Sequence, residues 1–438
     1  MGTNKDNPSW LKIYLSNAIK DAITEYYKVY NEKDFSRNRK LPFQKMVELL
    51  LSMQGGSLKK ELYDAGIKVT ASAFVQQRDK ISWEVFEKIL LLFNERCTDS
   101  KTYKGYKVFA VDGTTVNMAR NESSESYVKS DSTSKGYNQF HVTPLYDVLN
   151  KTYQYCCIQP QPKQDEIGAL AVMLAWLDFK EKTLIVADRG FEGYNIFAHL
   201  MSKPNVDFLV RVKQERGAMR EIGKLPMMEL DTDVSFTVTT TQTNEDKKNN
   251  HIFIKTRKNE NRAYSSKSHL GRWDFPSPYP MKFRVVRILL DNGEYETLAT
   301  SLPRSITKEE IKELYHARWG IETAFRELKY GLGLVNLHGK KDDFVRQEIY
   351  ASMIMANLCS RIVNQIVISK KVTNIYEYQI NMKMAIYLCR KFFRSERADE
   401  DKLLEDIARY VEPIRPGRRD ERNLKAKSFV GFIYRVSA

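Results

Sequence analysis

The run TLIVA at 183–187 is the feature that most constrains how this chain folds. A strand that is apolar along both faces must be covered on both sides, as the central strands of α/β sheets are. The surrounding pattern agrees, because amphipathic helices are predicted over 165–179 and 194–201, on either side of this strand. Further strands are predicted at KVFAV, FHVTPLYDV and TYQYCCIQP before it and at DFLVRVK after it. Strands and helices in this order predict an α/β fold.

The first hundred residues have helical spacing of apolar positions instead, and two interpretations of them stay open. Short helices separated by glycine-containing turns, with basic side chains nearby, fit a helix-turn-helix-like DNA-binding module. The basic residues concerned are Lys59, Lys60, Arg78 and Lys80. A plain helical cap on the α/β region explains the same pattern at least as well.

The charge of the chain favours a polyanionic partner. Lysine and arginine number 70 against 55 acidic residues, which gives a formal net charge of +15 and a pI near 9.3. Nucleic acid is the first candidate for such a partner, although a merely soluble basic protein is about as well supported by charge alone. A basic run begins at Arg415, and phosphate contact is the preferred interpretation over a solvated tail.

Cysteine usage and hydropathy predict an intracellular, cytoplasmic protein with no membrane partner. The five cysteines form no C-x-x-C pair and have no nearby histidines, so they are predicted to be free thiols of a reducing compartment. The most apolar helix, over 353–367, is interrupted by Asn357, Arg361 and Asn364 and is not predicted to span a membrane.

One continuous helix of about seven turns is predicted over 307–332. Thr307 and Glu310 have the spacing of a capping box, and no proline follows before Gly331. At helical spacing, four polar side chains lie within roughly 60° of one another on one face. These are Tyr315, Arg318, Glu322 and Lys329. The opposite face carries a core-facing stripe of Leu314, Ala317, Ile321, Ala324, Phe325 and Leu328. The helix is therefore predicted to present a polar site.

Two aspartates complete this candidate site. Asp112 and Asp188 each follow an apolar strand and begin a glycine-containing turn, as D-G-T and D-R-G. Open α/β sheets place their sites at such strand ends. Taken singly, each aspartate is better explained as a turn residue, and Glu322 as a partner of Arg318 or Arg326.

Taken together, the three carboxylates are suited to divalent cations. Mg²⁺ prefers carboxylate, water and phosphate oxygens. Two such ions about 4 Å apart can activate an attacking oxygen and stabilise the leaving oxygen of a phosphodiester. Arg318 and Lys329 beside Glu322 would then hold phosphates, arginine by bidentate contacts and lysine as a point charge.

These residues resemble a known family. D-G-T at 112–114, D-R-G-F at 188–191 and the spacing Tyr315-x2-Arg318-x3-Glu322-x6-Lys329 are similar to the DDE transposases of bacterial insertion sequences, whose last motif is the Y-R-E-K signature. The resemblance covers roughly residues 100–370. It implies a ribonuclease-H-like catalytic core interrupted by a β-rich insertion, with a helical N-terminal domain and a helical C-terminal region.

The resemblance also implies roles for the residues. Asp112, Asp188 and Glu322 would be catalytic and would hold two Mg²⁺ ions, with Mn²⁺ as a substitute, while Tyr315, Arg318 and Lys329 would bind DNA phosphate. Supporting candidates are Arg189, Arg211 and Trp273. Trp273 is the insertion's only tryptophan and a candidate for stacking on a flipped base, but ordinary packing is favoured for it.

The implied function is DNA transposition. The partners would be double-stranded DNA with terminal inverted repeats, target DNA, and a second copy of the chain in a homodimer. The segments are then a DNA-binding domain (1–100), the first part of the core (101–214), the insertion (215–300), the second part of the core (301–370) and a basic C-terminal region (371–438). Two alternatives stay open: a ribonuclease-H-like nuclease without strand transfer, and an inactive, domesticated DNA-binding protein.

Overall fold

The structure is a computed structural model of the chain. It describes residues 7–29, 34–37, 40–98, 101–129, 135–214, 217–255, 272–335, 337–368, 376–397 and 399–414. The basic run that begins at Arg415 lies outside the described residues.

Helices predominate toward both ends of the described chain, and the strands β1 to β11 lie between residues 107 and 300 with helices among them. The helices are α1 (Pro8–Val29), α2 (Phe43–Ser52), α3 (Leu58–Asp64), α4 (Ala71–Arg78), α5 (Glu84–Arg96), α6 (Glu166–Trp176), α7 (Tyr194–Ser202), α8 (Arg220–Gly223), α9 (Asn244–Lys248), α10 (Lys308–Ala317), α11 (Gly320–Arg326), α12 (Asp342–Val363), α13 (Met382–Arg394) and α14 (Glu400–Arg409). The strands are β1 (Lys107–Val111), β2 (Thr114–Met118), β3 (Tyr127–Val128), β4 (Tyr137–Asp147), β5 (Thr152–Pro160), β6 (Thr183–Ala187), β7 (Val206–Arg211), β8 (Leu230–Thr239), β9 (Ile252–Phe253), β10 (Tyr279–Leu289), β11 (Tyr295–Thr300), β12 (Glu377–Ile380) and β13 (Val411–Ile414).

The sequence prediction of an α/β fold is confirmed by one large mixed sheet. Its centre follows the order β4–β1–β6–β7, with β5 on the other side of β4. Strands β1, β6 and β7 are parallel to one another, whereas β4 runs antiparallel to β1. Strands β1 and β2 pair with the same long strand β4 and are separated by a bend at Asp112 and Gly113. The bend lets the chain leave the core at Asp112.

Strand β6 is central and fully buried, as its apolar sequence predicted. Successive side chains of a strand point to opposite faces of the sheet. Ile185 packs into a cluster with α6 and α7, whereas Leu184 and Val186 pack into a cluster with Leu314 of α10. The helix that carries the predicted polar residues therefore covers the face of the sheet opposite α6 and α7.

The strands of the predicted insertion continue the same sheet. Strand β11 pairs antiparallel with β7, β10 with β11, and β8 with β10, while β9 lies at the outer edge. The alternating sequence predicted these strands, but it did not indicate that they extend the central sheet.

The helices of the two chain ends share one core. Phe86 and Phe93 of α5 belong to the same apolar cluster as Ile349 and Leu358 of α12, together with Ile386 of α13. The N-terminal helices therefore pack against the long helix that follows the site, as a helical cap would. Arg78, one of the four basic residues named for the DNA-binding interpretation, is buried at this junction.

Within the described residues, no helix is long and apolar enough to cross a membrane. All five cysteines are free thiols, as predicted, and Cys156, Cys359 and Cys389 are buried.

Candidate active site

The two aspartates lie side by side at the carboxyl edge of the sheet. Val111 of β1 is in register with Ala187 of β6, so Asp112 and Asp188 are the next residues on two parallel neighbours. Neighbouring strands are about 4.8 Å apart, which brings the two residues together although they are distant in sequence. Both are half-buried. The structure therefore places the two strand-end aspartates at one edge of the sheet.

Asp112 is held in an environment that disfavours its ionised form. Burial raises its pKa, and the charges of Glu166 and Glu322 act in the same direction. The hydrogen bond that Gly113 N donates to Asp112 Oδ1 (2.8 Å) and the charge of Arg318 oppose this, but the pKa is raised overall. A bound cation would relieve this accumulation of negative charge.

The helix over the site begins as predicted, but its predicted continuity is wrong. Thr307 and Glu310 form the capping box of α10. The helix is interrupted at Arg318 and Trp319, where amides bond three rather than four residues back, and α11 ends in a π-helical turn over 327–331. Gly320, a poor helix former, lies directly after the interruption.

Despite this interruption, Tyr315 and Arg318 contact the aspartates, and Glu322 is joined to them through Arg318. The Tyr315 hydroxyl donates to Asp188 Oδ1 at 3.0 Å, and burial together with the Asp188 charge raises the tyrosine pKa. Arg318 lies between two acids, with Nη1 3.6 Å from Asp112 Oδ2 and Nη2 3.6 Å from Glu322 Oε1. Tyr315 and Arg318 thus link Asp112, Asp188 and Glu322 into one site.

Lys329 lies in the π-helical turn and is half-buried, and burial lowers its pKa. Within the described part of the chain it makes no ion pair with the three carboxylates. The angular alignment predicted for it assumed an unbroken helix, and the extra residue per turn in a π-helix changes that alignment.

The supporting candidates differ in their positions. Arg211 ends β7 and approaches Asp188, with Nη1 3.9 Å from Oδ1, and its Nε lies 3.7 Å from Glu296 Oε1. Arg189 is exposed next to Asp188. Trp273 packs against the rings of Phe275 and Tyr279, which supports ordinary packing.

Sequence reasoning missed three residues of this region. Glu166 begins α6, and His141 Nε2 on β4 lies 2.9 Å from Glu166 Oε1. Glu296 is buried on β11 beside Arg211, and burial raises its pKa. An acid at a helix start and a polar residue in a strand are common, so no motif indicated that these belong to the site.

The donor set fits divalent cations in kind. Carboxylate oxygens from Asp112, Asp188 and Glu322 are the ligands that Mg²⁺ prefers, and a positive guanidinium group already lies between two of them. Among the described residues, no three histidine, cysteine, aspartate or glutamate side chains are close enough to hold an ion as they stand. Cation binding would therefore require side-chain rotations that draw the carboxylates together.

The fold and the site define a class of protein: an α/β protein with an acidic site at the carboxyl edge of a mixed sheet, covered by two successive helices whose segment supplies tyrosine, arginine and glutamate. The chain belongs to the family described as transposase DDE domain, whose model matches residues 103–358. A domain of this family implies an enzyme of DNA phosphoryl transfer, consistent with DNA transposition.

A solved structure described as the cryo-EM structure of the piggyBac transposase synaptic complex with hairpin DNA is similar to this chain. The match has 11% sequence identity and a TM-score of 0.44, and it covers 95% of this chain and 88% of that chain. No curated protein matches the chain.

Proposed function

We propose that the protein is a DNA transposase that cleaves DNA at the ends of its element in a cation-dependent reaction and transfers the freed 3′-OH into target DNA. The observation that carries this proposal is the single network in which Tyr315 binds Asp188 while Arg318 lies between Asp112 and Glu322. The family implies phosphoryl transfer on DNA, and this network supplies the oxygen ligands and positive groups that such chemistry needs.

The proposed catalytic core is ribonuclease-H-like. We assign it to the bacterial insertion-sequence type that has the Y-R-E-K signature. The order β5–β4–β1–β6–β7, with β1, β6 and β7 parallel and β4 antiparallel to β1, supports this proposal. The strands from β8 to β11, which come before the helix that carries Glu322, correspond to the proposed insertion.

Asp112, Asp188 and Glu322 would hold Mg²⁺ or Mn²⁺, which when bound supply activation of the attacking oxygen and stabilisation of the leaving oxygen. The Tyr315 hydroxyl fixes the orientation of Asp188 through its hydrogen bond. Arg318 is buried and holds Asp112 and Glu322 near each other, and its guanidinium is also suited to a DNA phosphate. Lys329 is the second proposed phosphate contact.

The proposed partners are double-stranded DNA with terminal inverted repeats, target DNA and a second copy of the chain. Lys59 and Lys60 are exposed on α3 and support a DNA contact by the N-terminal helices. The net charge of +15 supports binding to a polyanion.

The direct test is cleavage of DNA that carries the ends of the element, with Mg²⁺ and the full chain. Alanine at Asp112, Asp188 or Glu322 is expected to abolish cleavage while DNA binding persists. Glu181→Ala is the matched control, because Glu181 is exposed before the opposite end of β6 and is expected to have no effect. An active Asp188→Ala protein would refute the assignment.

A second assay separates the proposal from its alternatives. With ends that are already cut, a transposase joins the 3′-OH to target DNA, whereas a nuclease of the same fold leaves the ends unjoined. Absence of any cation-dependent nicking by the wild-type protein would instead identify an inactive DNA-binding protein.

A further inference from the structure

Glu166 occupies the space between the turns that carry the two aspartates. A methyl group at Gly113 would overlap Glu166 Oε1 and His141 Nε2, and one at Gly190 would lie 3.9 Å from Glu166 Oε2. The absence of a side chain at Gly113 therefore leaves room for this carboxylate, whose other oxygen lies at an ordinary contact distance from the position of a Gly190 methyl group. Because Gly113 follows Asp112 and Gly190 lies two residues after Asp188, Glu166 lies beside both acids.

Helix capping does not account for the position of Glu166. The N-cap of α6 is Asp165, whose Oδ1 accepts a hydrogen bond from Gly168 N at 2.9 Å. Glu166 is the first helical residue, and its side chain is partly exposed. The carboxylate is thus directed toward the two turns while its neighbour satisfies the helix start.

His141 approaches this carboxylate from inside the sheet. It lies on β4 opposite Thr115 and is only 3% exposed, and its Nε2 is 2.9 Å from Glu166 Oε1. Neither ring nitrogen of His141 makes a hydrogen bond within the described part of the chain, so the approach of Nε2 to Glu166 is a close polar contact without hydrogen-bond geometry. A buried imidazole with so few polar contacts is costly, which favours a role in the site rather than in core packing.

The charged side chains around Glu166 leave its carboxylate available to a cation. The guanidinium of Arg318 lies near Asp112 and Glu322, and that of Arg211 lies near Asp188. Among the described residues, the one basic side chain that contacts the Glu166 carboxylate is His141. Negative charge is therefore in excess at this side of the site, and a divalent cation would balance it.

We propose that Glu166 supplies a fourth carboxylate to the divalent-cation site and that His141 is the residue that positions it. This inference rests on the proposed function, because it assigns Glu166 to the same cations that Asp112, Asp188 and Glu322 would hold. It also explains the glycine at position 113, where a side chain would overlap Glu166.

The test is binding of Mn²⁺ alone to the full-length protein, measured by the electron paramagnetic resonance signal of the free ion. Glu166→Gln keeps the shape of the side chain and removes its charge, and it is expected to weaken Mn²⁺ binding about tenfold. Glu166→Asp should retain part of the affinity, and His141→Ala should weaken binding with Glu166 still present. Glu181→Gln removes the same charge from an exposed position and should bind Mn²⁺ like the wild type.

The outcomes separate this inference from the proposed function. Wild-type Mn²⁺ affinity in Glu166→Gln overturns the inference and leaves the proposed function intact, provided that Asp112→Asn and Asp188→Asn still reduce binding. A lower melting temperature of Glu166→Gln with unchanged Mn²⁺ affinity shows a purely structural role and also overturns it. A wild-type protein that binds no Mn²⁺ overturns both.

Discussion

At the scale of single residues, the site consists of charged groups in surroundings that disfavour their charges. Asp112 has a raised pKa because it is partly buried, and Arg318 is buried between two acids. Natural proteins keep such groups where function requires them, since an apolar replacement would be more stable. Stability measurements on variants of these residues can therefore show how much the charged groups of the site lower the free energy of unfolding.

Asp112→Asn is expected to stabilise the protein at pH 8 in a metal-free buffer. Because the folded-state pKa of Asp112 is raised, protonation of Asp112 stabilises the folded state relative to the unfolded state. This contribution to the free energy of unfolding is fully present below the ordinary pKa of 3.8 and is lost as pH rises through the raised value. Asparagine removes the ionised form that is unfavourable at pH 8. We expect a melting temperature higher by about 2 °C or less at pH 8, and a smaller difference at about pH 4, close to the ordinary pKa of 3.8.

The measurement is calorimetry with a chelator at the two pH values. Asp291→Asn is the control, because Asp291 lies exposed between β10 and β11. A less stable Asp112→Asn protein at pH 8 would contradict the expected cost of this charge.

Tyr315→Phe tests whether the tyrosine hydroxyl orients Asp188. The ring is buried and phenylalanine preserves its packing, so the melting temperature should change little. Loss of the hydroxyl removes one hydrogen bond to a carboxylate, and single-turnover cleavage is expected to slow by about three- to tenfold. Tyr330→Phe, at an exposed tyrosine of the same segment, should cleave at the wild-type rate. Equal rates for all three proteins would exclude the orienting role.

At the scale of elements, the sequence predicted what depends on local pattern. The apolar run of β6, the capping box at Thr307 and the strand-end aspartates follow from periodicity and turn chemistry. The interruption lies at Arg318, which pairs with Asp112 about 200 residues away in the chain, and no local pattern contains that contact. Glu166 was missed for the same reason, since its place is defined by the missing side chain of Gly113.

Gly320→Ala tests whether the start of α11 is set by the tertiary structure. A methyl group at Gly320 would lie 3.7 Å from Val148 Cβ, an ordinary contact, and the residue is already helical. Alanine is favoured over glycine in helices by about 1 kcal/mol, so the free energy of unfolding is expected to rise by up to that amount.

Urea denaturation measures this change, and Gly113→Ala provides the contrast. Its methyl group would overlap Glu166 and His141, so this second variant is expected to be less stable than the wild type. If Gly320→Ala lowered stability, the space beside Val148 would have to be smaller than the structure shows.

At the scale of the whole molecule, the two ends of the chain are joined through α12. Arg78 of α4 donates to Gln347 Oε1 at 2.8 Å, to Glu348 Oε1 at 2.9 Å and to the Phe344 carbonyl at 2.7 Å. Its guanidinium also stacks 4.3 Å from the Phe344 ring. Because α12 follows directly from the segment that carries Glu322, this junction connects the proposed DNA-binding helices to the site.

Arg78→Met is therefore expected to destabilise the whole folded molecule rather than its N-terminal helices alone. Removing one partner of a buried ion pair leaves Glu348 without its main counter-charge and costs about 3–5 kcal/mol of unfolding free energy. Since α5 and α12 share one core, amide hydrogen exchange should accelerate together over 43–96 and 342–363. Lys59→Met, at an exposed lysine of α3, should leave exchange unchanged. Acceleration confined to 43–96 would show instead that the N-terminal helices unfold independently, and their DNA contacts would then be transmitted to the site by some other route.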